Sequence, residues 1–96
     1  MSNKHNGWTN YETWIVNVWL SNEEPTHKYC VMLSKTYRDP IELANVLEEF
    51  ALLFKPEIKT GMFDDMLNAA LGEVNWREIA EFYIEEYATP TESETK

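Results

Sequence analysis

Residues 7–22, GWTNYETWIVNVWLSN, hold three of the four tryptophans of the 96-residue chain and one charged side chain, Glu12. Trp14, Ile15, Val16, Val18, Trp19 and Leu20 wrap almost round a helix, and no strand-like alternation competes with that reading. Ahead of them, Thr9 followed by Glu12 forms a T-x-x-E capping box, whose hydroxyl takes one orphan amide while the carboxylate reaches back to another. The stretch therefore predicts a helix over about 10–21. A helix apolar on every side belongs at the centre of a fold. A second reading of the same bulk leaves Trp8 or Trp19 exposed as an anchor for a partner, since tryptophan is favoured at binding hot spots.

Outward from that stretch, further caps punctuate the chain. Asp39-Pro40-Ile41-Glu42 places proline at the first helical position, where its missing amide costs nothing. Asn75-Trp76-Arg77-Glu78 repeats the capping logic, and Thr60 is a weaker start. Gly72 stands where a helix stop is expected, and Pro56 ends the helix that Pro40 begins. Helices are thus predicted at 26–37, 40–54, 62–71 and 76–88, each boundary good to about 2–4 residues. Ile41, Ala44, Leu47, Ala51 and Phe54 form the third helix's stripe. Phe63, Met66, Leu67, Ala70, Leu71 and Val74 form the fourth's, and Trp76, Ile79, Ala80, Tyr83 and Tyr87 the fifth's. The expectation is an all-α, compact single domain of four or five short helices, the aromatic-rich first helix central and the acidic third and fifth outermost. Residues 1–88 form the domain, 1–7 mobile, and 89–96 a flexible acidic tail.

The formal charge is −9, and its distribution is skewed. Residues 1–38 carry three acidic and four basic side chains, whereas residues 39–95 carry fourteen acidic against three basic. Such a field repels nucleic acid and anionic membrane and attracts basic surfaces. Glu78, Glu81 and Glu85 share one side of the fifth helix, and Glu42 and Glu49 lie two turns apart on the third. Carboxylates one turn apart stand about 5–6 Å from each other, a linear charge density like that of a nucleic-acid backbone. These five are the candidate acidic face; outward acids kept for solubility alone are the alternative.

Catalytic signatures are sparse. Glycine occurs only at 7, 61 and 72, too few for a phosphate-binding loop. His5 and His27 have no zinc-ligand spacing with Cys30, so no metal and no cofactor is expected. Cys30 lies three residues from His27, but nothing supplies an orienting carboxylate or oxyanion donors, and a buried, reduced thiol is the reading adopted. Asn17, amid the apolar ring of the first helix, is expected to be a hydrogen-bonded core amide, or else a ligand contact. The absence of a leader or a long apolar run predicts a soluble, cytoplasmic protein, the host cytoplasm if phage-encoded.

Trp8, Asn10, Tyr11, Glu12, Thr13, Trp14, Trp19 and Leu20, with the later block Leu67, Ala70, Leu71, Val74, Trp76, Ile79 and Ala80, carry a family likeness. The chain resembles the small uncharacterised N-Y-E-T-W motif proteins scattered through bacteriophages, plasmids and prokaryotic genomes. The resemblance implies a mobile-element setting, where proteins of this size are often accessory factors; it brings no catalytic residues. In the motif itself, Tyr11 and Trp14 are expected to bury one turn, with Thr13 outward or bonded to a carbonyl.

Charge skew and resemblance together lead to a non-enzymatic acidic binding protein. It would inhibit a nucleic-acid-handling host defence protein, such as a nuclease or CRISPR effector, through its acidic face, as anti-restriction or anti-CRISPR factors do. The alternative is a structural or oligomeric module that pairs through the tryptophan-rich first helix.

Overall fold

Asn10, rather than Thr9, starts the first helix. In the computed structural model, which describes residues 5–57 and 61–88, the Asn10 side chain accepts from the Thr13 amide at 2.9 Å. The Thr9 amide, which Glu12 was expected to reach, donates instead to both carboxylate oxygens of Glu78 at 3.1 and 3.2 Å. Five α-helices follow: α1 (Tyr11–Asn22), α2 (Glu24–Thr36), α3 (Pro40–Leu52), α4 (Met62–Glu73) and α5 (Trp76–Tyr83), the last continuing as a π-helical turn, Ile84–Ala88. Among the described residues there is no sheet, and no helix is long and apolar enough to cross a membrane. The chain is all-α, as its sequence predicts.

Two predicted caps are present. Asp39 accepts from the Glu42 amide at 3.0 Å with Pro40 opening α3, and Asn75 accepts from the Glu78 amide at 3.1 Å to open α5. The cap expected at Thr60, the tail 89–96 and residues 1–4 lie outside the described residues. Gly72 is not a stop: α4 runs through it to Glu73. Its end is set from α1, where Asn10 Nδ2 donates to the Glu73 carbonyl at 2.7 Å. Residues 5–7, expected to be mobile, form a tight turn. His5 and Trp8 exchange two backbone hydrogen bonds of 2.8 Å, across Asn6 and Gly7, both at positive φ. Asn-Gly is the pair that such a primed turn favours.

The centre of the fold belongs to α5, not α1. Trp76, Ile79, Ala80 and Tyr83 are all buried, and α3 packs along them through Leu43, Ala44 and Leu47. Cys30 and Leu33 of α2 complete the core with Leu20 and Val74. On α1 the buried line is Thr13, Asn17 and Leu20, spaced four and three residues apart, so two of its three inward positions are polar. The expectation that an apolar ring makes α1 central is thus overturned. Hydrogen bonds, not hydrophobicity, choose which side of α1 faces in.

Those bonds form one connected set. Thr13, with no exposed surface, donates its hydroxyl to Asn10 Oδ1 at 2.6 Å and accepts the Asn75 amide at 2.8 Å. Through Thr13, Asn10, Asn75 and Glu78, the start of α1 is tied to the junction of α4 and α5. Thr13 therefore points inward, and the carbonyl it bonds is the side-chain amide oxygen of Asn10. Its neighbours in the motif do not bury a turn: Tyr11 is exposed and Trp14 half-buried, and both rings pack on His5 at 5.2 and 4.6 Å. Replacing Thr13 by valine keeps its shape and leaves the Asn75 N–H without an acceptor. Thr13→Val is expected to lose about 1–3 kcal/mol in urea unfolding, whereas Thr9→Ala stays within about 0.5 kcal/mol of the parent.

Candidate functional site

Because α1 turns its polar line inward, its apolar side is only half-covered. Trp19 is 64% exposed. It borders an open groove of about 560 Å³ with Ile15, Val16 and Leu20, closed by Ala51 and Phe54 at the end of α3, Leu71 of α4 and Trp76 of α5. Glu23 and Thr26 are its polar edge. The last turn of α3 tightens into bonds from Leu53, Phe54 and Lys55 to the carbonyls three residues back, which leaves Phe54, expected in the apolar stripe, exposed with Leu53 beside it. Phe50 lies against Phe54 at 5.3 Å and steadies that wall.

α4 reaches this groove through Leu71 and is itself loosely packed. It has no buried residue, and α1 is its main neighbour. The stripe predicted as its core face is real in its spacing, but it is unpartnered at one end. Leu67, Ala70 and Leu71 are half-buried, whereas Phe63 and Met66 are exposed, as is Met62 beside them. Asp64, Asn68 and Lys55 form a surface chain of hydrogen bonds, 3.3 and 3.2 Å, that holds α4 to the segment after α3.

Two buried polar atoms lack partners: the Asn17 side-chain oxygen and the Trp76 indole nitrogen. Asn17 is buried as expected, but its oxygen is not hydrogen-bonded. Trp76 also lines the groove.

The predicted acidic residues divide. Glu78, Glu81 and Glu85 line one small notch together with Gly7, Trp8 and Phe82, and the Trp8 and Phe82 rings meet edge-on at 5.4 Å. Trp8 is therefore a half-buried wall of the notch. Glu78 holds the Thr9 amide and Glu81 pairs with Arg77 at 3.0 Å, so two of the three carboxylates already have partners. Glu42 and Glu49 stand exposed on α3 and are not part of this notch. Nor is the fifth helix outermost, for these acids occupy the outer side of the most buried helix in the fold.

A third polar cluster lies inside. The Tyr83 hydroxyl is 3.2 Å from both Ser21 Oγ and His27 Nδ1, and His27 packs on the Tyr83 and Tyr87 rings. Burial pushes the Cys30 thiol up to about 12, against a lowering by its hydrogen bond to Tyr83, and burial likewise raises Tyr83 to about 12. A thiol held protonated in this way is a poor nucleophile. Among the described residues no three His, Cys, Asp or Glu side chains are grouped to hold a metal ion.

Sequence reasoning missed the groove and the hydrogen-bonded set around Thr13. For the turn that carries Trp8, the Asn6-Gly7 pair was the available signal; for the groove, the two polar residues spaced four apart on α1 were the only hint.

The chain belongs to a family of unknown function, DUF7249, whose model matches residues 1–90. No curated protein and no solved structure shows a significant match to it.

Two expectations follow from these geometries. Both raised pKa values stabilise the protonated forms in the fold, so their contribution is complete below the ordinary values of 9.0 and 10.0 and is lost as pH rises towards about 12. Unfolding free energy measured against pH should fall across that window, with Cys30 inert to thiol reagents at pH 8 until the protein is denatured. Separately, Glu78→Ala should release the Trp8 turn and red-shift tryptophan emission, while Glu85→Ala leaves the spectrum unchanged.

Proposed function

We propose that this family member is a non-enzymatic protein-interaction module whose working face is the apolar surface around Trp19. The observation that carries the reading is that Trp19 and Phe54, which line one groove with Ile15, Val16 and Leu71, are each more than half exposed, although each would gain about 1.5–3 kcal/mol on full burial. Extended apolar exposure of this kind marks interaction sites, whereas isolated exposed side chains need no explanation.

Trp19→Lys puts a charge in the middle of the face at a position that the core does not use. It should leave the thermal midpoint within about 2 °C of the parent and abolish capture of the partner in pull-downs from host lysate. Retention of the same captured protein by Trp19→Lys would count against the reading.

A second reading is supported by the notch, where Glu78, Glu81 and Glu85 sit beside Trp8, and by the likeness to mobile-element proteins. It makes the protein an acidic inhibitor of a nucleic-acid-handling host protein, of the anti-restriction or anti-CRISPR kind. The distinguishing measurement is salt dependence: binding through the carboxylates weakens steeply with ionic strength and with Glu85→Gln, and ignores Trp19→Lys.

A further inference from the structure

We infer that the groove beside Trp19 receives an amphipathic helix of a partner protein that carries basic side chains along its apolar stripe. The inference rests on the reading of this surface as a protein-docking face and names its occupant.

Dimensions favour a helix. From Leu71, the residue of α4 that lines the groove, the apolar spacing of α4 continues through Leu67 to Phe63, eight rises or about 12 Å of helix. The anchors of a bound helix at i, i+3 or i+4, and i+7 span about 10.5 Å, so two turns of it match the length of this track. The groove itself, about 560 Å³ between α1 and the end of α3, takes the bulkiest of those anchors. Phe54 is held by Phe50 at 5.3 Å, so this wall is set before binding.

Charge decides between a foreign helix and a second copy of the chain. Glu23 forms part of the groove's edge and is exposed, and the whole chain carries −9. Two such molecules face to face repel each other, whereas a lysine or arginine next to the apolar stripe meets Glu23 and is steered by the field. Trp76 lines the groove, is about nine-tenths buried, and its indole N–H lacks an acceptor, so its resonance is a reporter of an occupant seated against the ring.

The test is a displayed library of helical peptides, each about 14 residues long. Apolar residues are held at i, i+3, i+4 and i+7, and Lys, Glu or Gln vary at the flanking positions. The library is sorted on the full chain with Trp19→Lys as counter-selection. The expected outcome is enrichment of Lys-flanked peptides. Their affinity should fall more than about tenfold in Trp19→Lys and about two- to fivefold in Glu23→Gln, and the Trp76 indole N–H resonance should shift on binding. Equal recovery of Glu- and Lys-flanked peptides would overturn the basic partner and leave a docking face. Concentration-dependent dimerisation that Trp19→Lys abolishes would make the occupant a second copy. Uptake of a long-chain fatty acid with no peptide enriched would make it a small apolar ligand. If no peptide is enriched, no dimer forms and no fatty acid binds, both the occupant and the docking face fail.

Discussion

One buried hydroxyl determines how this small fold is put together. Thr13 Oγ1 donates to Asn10 and accepts from Asn75, two groups that belong to opposite ends of the chain. Asn10 in turn closes α4 by bonding the Glu73 carbonyl, and Glu78 secures the Thr9 amide. The groups around the buried Thr13 would carry a desolvation penalty if left alone, whereas the bonds to Glu73 and Glu78 lie at the surface. The arrangement gives a physical role to two residues of the N-Y-E-T-W stretch, Asn10 and Thr13, without recourse to a ligand.

The rest of the architecture follows from that tie. With Thr13 and Asn17 directed inward, α1 offers Leu20 and the half-buried Val16 to the apolar core, and α5 takes the central position with α3 against it. Once its end is pinned at Glu73, α4 rests mainly on α1 and buries none of its residues fully. The aromatic and aliphatic side chains that would have made α1 central then line a groove instead. An open apolar groove is the by-product of a polar lock on the opposite side of the same helix.

Two surfaces of different chemistry result, one apolar around Trp19 and one acidic around Trp8. They differ in how free their groups are. Glu78 and Glu81 already have partners within the fold, whereas the exposed rings of Trp19, Phe54 and Phe63 rest only partly on their neighbours. That contrast shifts the functional emphasis from long-range charge to apolar contact, with charge retained as the selector of partner.

Local information was legible in the sequence, and for a clear reason. The caps at Asp39 and Asn75, the proline that opens α3 and the inward face of α5 depend on residues within a turn or two of each other, so period and capping chemistry determined them. Cys30 as a buried thiol was readable from its apolar company. The orientation of α1, the true end of α4, the anchoring role of Glu78 and the existence of the groove were decided only by the tertiary structure. Each depends on partners more than 60 residues apart, Thr13 with Asn75 and Thr9 with Glu78, and no periodicity records a hydrogen bond that forms only when distant turns meet.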